Sequence, residues 1–442
     1  MFLHQIESAS RYEVEAVQLE RLLETVEKVY AKVPFYKEKF DHLGVSSEDV
    51  STISDVKKLP FTTKKDLRDH YPFGLFAADA REVIRIHASS GTSGKPTVVG
   101  YTRKDIQVWS EIVARALTIG GGQPGEILHN AYGYGLFTGG LGLHYGGEEL
   151  GMATVPVSGG NTDRQMMLIE DFKPTVICST PSYLLNIAEQ MEAEGRDPRQ
   201  SSLKYAILGA EPWSEKMRRT IEGIFDVKAC DIYGLSEVMG PGVAMECHES
   251  QNGLHIAEDH FLVEVIDPDT LEPVPEGEDG ELVFTSLTKE AFPIIRYRSG
   301  DIGSITTEQC KCGRTTKRMS RVKGRIDDML IIRGVNVFPS EMEHYLLTVE
   351  EIAPHYQLHI HQKGSLQHVE LQVEMTDKLY NESKQDMNHA SIRELSKSIR
   401  HLIKNGCLIS VDVTIMAPKS IPRSQGKAIR IVDRTKEEVK SG

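Results

Sequence analysis

The stretch TVICSTPSYLLNIAEQMEAEG, residues 175–195, sets an apolar run of strand length directly before an amphipathic run that opens on Pro181. Proline fits the first turn of a helix, so the stretch reads as a strand feeding a helix. YAILGAEPWSEKMRRTIEGIF, residues 205–225, repeats the arrangement with Pro212 and Ser214 at the junction. Strands that each lead into a helix have to return to the same sheet in parallel, so residues 83 to about 300 read as α/β. The style changes at FLVEVIDPDTLEPVPEGEDGELVFTSL, residues 261–287, where two alternating runs flank an acidic Pro/Gly connection and predict antiparallel strands. Before all this, residues 11 to 44 have helical spacing, with Val14, Val17, Leu19, Leu22, Leu23, Val26 and Val29 on a broad apolar side that ends before KVPFYKEKF. After RIDDMLIIRGVNVFPSEMEHYLL the pattern restarts with YQLHIHQ, HVELQVEM, a polar helix to about residue 404, and SVDVTIM. Those residues suffice for a small separate α+β unit of roughly 110 residues.

The chain has 442 residues, more than a single core usually holds, which predicts two domains. It carries 51 Lys and Arg against 64 Asp and Glu, a net charge of −13. That balance disfavours nucleic acid or an anionic membrane as a partner, so any anionic ligand has to be held by local donors. The N-terminal segment is dotted with Glu and Arg, and no apolar run approaches membrane-spanning length, so cytoplasm is the expected location. Six cysteines in a chain this long do not make a disulfide framework and fit a reducing compartment. A homodimer is left open.

Four short segments concentrate polar groups around glycines. SSGTSGKPT, residues 89–97, follows the strand-like EVIRIHA and offers hydroxyls, backbone N–H groups and Lys95, the materials of a phosphate cradle and equally of a surface turn. It is not a Walker loop, because Gly91 and Gly94 are too close and Pro96 follows the lysine. DIYGLSE, 231–237, sets an aromatic ring and a carboxylate on either side of a glycine turn; IIRYRSGDIG, 294–303, ends a strand in Arg-Ser-Gly-Asp; IPRSQGKAIR, 421–430, puts Lys427 in a polar loop. Each alone could be an ordinary turn.

In this order, and with GRIDDMLIIRGVNVFPSEME at 324–343, the segments resemble the adenylate-forming superfamily of acyl-CoA synthetases, most closely the phenylacetate–coenzyme A ligase family. NAYGYGLFTGGLGLHYG, LGAEPWSE, LTKEAFPIIRYRSGDIG and DDMLIIRGVNVFPSE carry the likeness over nearly the whole chain. The resemblance implies a large AMP-binding domain over 1–326, with mixed and parallel sheets and a β-rich part, and a small mobile α+β lid over 327–442, hinged at Asp327. It implies ligation of an aryl acid, phenylacetate first and indoleacetate or benzoate-type acids next, to coenzyme A through an acyl-adenylate, with release of AMP and pyrophosphate. Loading of a carrier protein and non-catalytic nucleotide binding are the competing implications. Ser89, Ser90, Gly91, Thr92, Ser93, Gly94 and Lys95 match the loop over the ATP phosphates. Ala210, Glu211 and Pro212, with Asp231, Ile232, Tyr233 and Gly234, match the adenine walls; Asp301 and Arg325 match the ribose contacts. Glu237 matches the Mg²⁺ carboxylate, suited as a hard oxygen ligand. Lys427 matches the lysine that bridges the acid and the α-phosphate, a task needed in the first half-reaction and not the second. Where some relatives carry Arg two residues after the position of Gly334, this chain has Asn336, which puts a phosphate contact there in doubt. For the acid, Tyr132, Tyr134 and Phe137 among glycines, with Ala210 beside them, suit a flat ring.

A second chemistry lies outside that pattern. MECHESQNGLH, 245–255, offers Cys247, His248 and His255, and EQCKCGR, 308–314, offers Cys310 and Cys312. Two thiols from one loop with a thiol and an imidazole from the other suit tetrahedral Zn²⁺, with ordinary buried thiols as the alternative. His255 is preferred to His248, because GLH begins a strand that can aim it at the turn.

Overall fold

The computed structural model describes residues 2–89, 96–326, 330–332, 335–363, 366–407, 409–424 and 427–434. Ser90, Gly91, Thr92, Ser93, Gly94 and Lys95 of the phosphate-loop candidate, and the expected pivot Asp327, lie outside the described residues.

The strand–helix units form as read. Val176–Ser179 leads into helix Pro181–Ala193, capped by Thr180 Oγ1 accepting from Tyr183 N–H, and Tyr205–Gly209 leads into Glu215–Phe225, capped by Ser214. These strands lie inside a nine-stranded sheet. Its parallel half runs, in spatial order, Lys228–Leu235, Tyr205–Gly209, Val176–Ser179, Ile127–Asn130 and Ala153–Val155. On the other side of Lys228–Leu235 the sheet turns antiparallel through Gly240–Glu246 and Leu254–Ile256 to two short strands, Arg318–Met319 and Ile305–Thr306. Residues 261–287 do pair antiparallel, Phe261–Ile266 with Gly280–Ser286, in a four-stranded sheet completed by Tyr297–Gly303 and Gly324–Arg325.

Three details depart from the sequence reading. The N-terminal helical stretch is two helices, Arg11–Lys32 and Pro34–Leu43, because Pro34 cannot donate to a helix running through it and instead starts the next one. In DIYGLSE the glycine makes no turn: Asp231 to Leu235 end strand Lys228–Leu235, and Ser236 and Glu237 open the turn after it. Gly234 is needed there because a Cβ would stand 1.9 Å from the carbonyl oxygen of Gly240 on the neighbouring strand. Likewise Arg-Ser-Gly-Asp does not end a strand; it lies inside Tyr297–Gly303, where Gly300 at φ +77° accommodates the irregular register against Glu281 and Val283.

The C-terminal part has a core of its own. A four-stranded sheet, ordered Asp412–Met416, Leu366–Met375, Ile352–Lys363, Ile431–Asp433, packs with helices Pro339–Leu346 and Ala390–Cys407. Leu358, Leu371, Val373 and Met375 from the strands meet Ile399 and Ile403 from the longer helix, all fully buried. That helix is polar on its outer side only, with Ile392, Leu395, Ile399 and Ile403 spaced to fall on one face. One apolar residue of this part leaves its own core: Leu347, just past helix Pro339–Leu346, belongs to the cluster formed by Tyr183, Leu184, Ile187 and Met191. Among the described residues no helix is long and apolar enough to cross a membrane.

Candidate functional site

The candidate nucleotide residues gather at the C-terminal ends of the parallel strands, the side where open α/β sheets take their ligands. Strand Tyr205–Gly209 ends at Ala210, whose φ of +68° is strained for a residue with a side chain. Glu211 follows it. Its Oε1 accepts from Ser182 N–H at 2.8 Å, and its Oε2 accepts from Ala428 N–H at 2.7 Å, on the residue after Lys427. One carboxylate on the adenine segment therefore pins the lysine loop of the C-terminal unit. Lys427 itself is exposed.

The next strand carries the other candidates. Ile232 is buried, and the Tyr233 ring stacks on Phe284 with centroids 5.6 Å apart. Its hydroxyl donates to Asp301 Oδ2 at 2.6 Å, while Arg325 Nη1 stands 2.8 Å from Asp301 Oδ1. Asp301 is thus gripped from both sides and its carboxylate is aimed, so Tyr233 here buttresses the ribose candidate. Glu237 is 9 % exposed, and burial, partly offset by Arg325 and Lys64, raises its pKa. A carboxylate desolvated in this way gains most from a cation beside it, which fits the Mg²⁺ role. Ser89 ends strand Arg85–Ala88, its N–H donating to Thr97 O at 2.9 Å, so the loop between them leaves and returns at one point.

Behind these residues lies a shell that the sequence did not announce. Asp231 N–H donates to Glu246 Oε2 at 3.0 Å, and Glu246, fully buried, is paired with Arg218 at 2.8 Å. Arg321 reaches Asp231 at 3.3 Å and lies over the Trp213 ring at 4.1 Å. No spacing in the chain signals this shell, because its members come from separate strands and loops. The fully buried Lys289 also went unread; its Nζ stands 3.1 Å from the Tyr101 ring centroid and 3.7 Å from Met239 Sδ, and burial pushes its pKa down to about 7.

The acid-pocket candidates are only partly brought together. Tyr132 is buried, and burial first, then the nearby Cys178, Asp231 and Glu211, raises its pKa well above the ordinary value. Tyr134 accepts from Asn130 Nδ2 at 2.7 Å and meets His144 edge to face, whereas Phe137 is 52 % exposed where helix Thr138–Leu150 begins. Among the described residues no ring contact joins the three.

Cys247, His255, Cys310 and Cys312 do converge, with one ligand atom from each lying within 4.8 Å of all the others. The Cys247 and Cys310 sulfurs are 3.6 Å apart, and Cys312 Sγ is 3.3 Å from His255 Nε2. Zinc–sulfur bonds of about 2.3 Å give a tetrahedral edge of roughly 3.8 Å, whereas a disulfide needs about 2.05 Å, so the spacing is no disulfide and fits ligands of one ion as well as free thiols in contact. His255 Nδ1 lies 3.0 Å from Thr316 Oγ1, an outer partner that fixes the ring with Nε2 facing the sulfurs. The hydrogen bond from Cys247, followed by that from His255, holds the Cys312 thiol far below the usual range, while the same bond raises Cys247. His248 stands aside, edge-on to Tyr205 at 5.2 Å.

Candidate ribose and magnesium carboxylates, a candidate adenine segment and a lysine loop pinned to it make the arrangement expected of an adenylate-forming enzyme. The model of the AMP-binding enzymes matches residues 15–288, and that of the AMP-binding enzyme C-terminal domain matches residues 334–435. The chain is 51 % identical over 439 residues to the phenylacetate–coenzyme A ligase of Thermus thermophilus, covering 98 % of this chain and 99 % of that protein. The chain belongs to the phenylacetate–coenzyme A ligase family of AMP-binding enzymes, and is an AMP-forming acid–thiol ligase. Among solved structures, 2-hydroxyisobutyryl-CoA ligase in its postadenylation state superposes with a TM-score of 0.91 at 26 % identity, covering 99 % of this chain and 94 % of that one. The same ligase in its thioesterification state gives 0.72 at 27 % identity, with coverage again 99 % and 94 %. The two parts of this chain are therefore arranged more like the postadenylation form.

Proposed function

We propose that this chain activates phenylacetate with ATP and transfers it to coenzyme A in a reducing cytoplasm, using residues 1–326 to hold the nucleotide and 327–442 as a lid. The observation that carries the reading is the hydrogen bond from Ala428 N–H to Glu211 Oε2 at 2.7 Å, which sets the Lys427 loop against the adenine segment. In that setting Lys427 lies between two anions, the acid and the α-phosphate, and lowers the repulsion that opposes their approach. Asp301 accepts from the ribose hydroxyls, held by Tyr233 and Arg325. Ala210 and Glu211, with Asp231 to Gly234, frame the adenine. The loop from Ser89 to Lys95 supplies donors to the β- and γ-phosphates. Glu237 would hold Mg²⁺, which when bound neutralises phosphate charge. Tyr132, with Tyr134 and Phe137, bounds the acid pocket. Cys247, His255, Cys310 and Cys312 would hold Zn²⁺ with no open position, a structural role and not a catalytic one. After adenylation, rotation at Asp327 would remove Lys427 and admit the thiol.

The test is a screen of aryl acids for coenzyme-A-dependent AMP release. Phenylacetate is expected to give the highest kcat/KM. A benzoate or indoleacetate preference would overturn the choice of acid, and release without any acid or thiol dependence would overturn the reaction.

A further inference from the structure

Apart from Glu211, a second carboxylate of the large unit reaches the C-terminal unit. Glu189, on helix Pro181–Ala193, takes two partners at once. His355 Nε2 lies 2.6 Å from its Oε1, and Arg423 Nε donates to its Oε2 at 3.0 Å, with Arg423 Nη2 3.4 Å from Oε1. Arg423 also donates from Nη1 and Nη2 to Glu374, at 2.8 and 2.7 Å. Glu374 is 1 % exposed and accepts from the backbone N–H groups of Lys419 and Ile421, so it folds the segment that leads toward Lys427. One guanidinium thus ties the carboxylate that shapes the loop to a carboxylate on the other unit. His355 lies on strand Ile352–Lys363, where Leu358 N–H donates to Arg430 O at 2.7 Å just beyond Lys427.

The exposure of these groups matters to what they can do. Glu374 and Arg423 keep to one unit and are 2 % and 18 % exposed at the side chain, whereas Glu189 is 29 % exposed. A carboxylate open to water on one side loses little when its partners leave, because water replaces them. The joint therefore biases orientation without locking it.

We propose that Glu189 is a positioning residue, a latch that holds the C-terminal unit where Lys427 faces the nucleotide and that must release His355 and Arg423 together before thiol transfer. The proposal rests on the ligase reading above. Glu189→Gln keeps the shape and removes the charge, and is expected to slow aryl-acid-dependent exchange of pyrophosphate into ATP, without coenzyme A, roughly three- to tenfold. Thioester formation from supplied acyl-adenylate and coenzyme A should hold its rate or rise, with the thermal midpoint unchanged. Glu189→Asp, which keeps the charge, should recover part of the exchange rate. His355→Gln, made from the other side, should show the same split. Spin labels at exposed positions, through Glu149→Cys and Lys397→Cys, read orientation without any turnover. Their distance distribution should broaden in Glu189→Gln. Equal losses in both half-reactions, or an unchanged exchange rate with an unchanged distance distribution, would overturn the latch. If the unsubstituted chain showed no acid-dependent exchange, the ligase reading would fall, while the label distances would still decide whether Glu189 sets the orientation.

Discussion

The Cys247–His255–Cys310–Cys312 cluster and the Glu189–Arg423–Glu374 joint each tie together segments far apart in the chain, with opposite materials. The cluster is built of soft ligands, three of them buried and Cys312 half-buried, all inside one core. The joint is built of charged groups across two cores, with Glu374 buried behind Arg423 and Glu189 left in reach of water. If the cluster holds zinc as proposed, its thiolates would be ordered once, as the chain folds. Carboxylate and guanidinium exchange partners with water at little net cost, so their contact can open and close thousands of times. The chemistry of a contact thus tells whether it belongs to the fold or to the working cycle.

The largest expected effect breaks the comparison on the working side. Lys427→Ala should lower adenylate formation by about 10²- to 10³-fold, the usual loss on removing one transition-state charge partner, while sparing thioester formation from supplied acyl-adenylate. Rates of the two half-reactions measured separately decide it, and parallel losses would mean that the joint presents some other residue.

On the folding side the effect is smaller but acts on a different observable. Cys310→Ser with Cys312→Ser should abolish bound zinc and lower stability by about 3 kcal/mol, roughly 4–5 °C in melting temperature for a unit of this size. Folded protein that remains should keep measurable ligase activity. Elemental analysis with a thermal melt is the check; zinc absent from the unsubstituted protein, or retained in the double variant, would make these ordinary thiols.

The smallest effect sharpens the rule, because Lys289 is a buried cation outside both constructions. Its pKa is pushed down to about 7 by burial, against an ordinary 10.5, with Asp105 opposing the shift. Between those values the unfolded chain binds a proton that the folded chain has shed, so this residue makes stability rise with pH through that window. Lys289→Met should flatten the rise by at most about 2 kcal/mol between pH 7 and 9, read from urea unfolding midpoints. An identical pH slope in the two proteins would show that Lys289 stays charged.

What was legible in the chain follows the same division. Strand–helix units declared themselves because period, length and capping residues are local, as at Thr180–Pro181 and Ser214. The metal-type ligands were legible because thiols and imidazole are rare and chemically specific, though Thr316 behind His255 was not, since it depends on strand Leu254–Ile256 pairing with Arg318–Met319. Gly234 was misread as a turn because a glycine demanded by a neighbouring backbone looks, in sequence, like any other. Glu189 and Arg423 carry no signal at all, and Glu211, read only as part of an adenine wall, gives no sign of its hold on the lysine loop. They are ordinary charged residues whose partners lie 166 to 234 positions away, and only the docking of one core on the other brings them into use.

Leu347 gives this arrangement an energetic floor. It is 8 % exposed in a socket made by the other unit, and any second orientation that empties the socket bares it to water. Exposing a leucine costs about 1.5–3 kcal/mol, which taken alone would leave the alternative orientation at roughly 0.6–8 % of the resting ensemble. A co-substrate that binds only that minor population has its apparent affinity weakened in proportion. The measured affinity for coenzyme A would then report the fit of one isobutyl group as much as any contact the coenzyme makes.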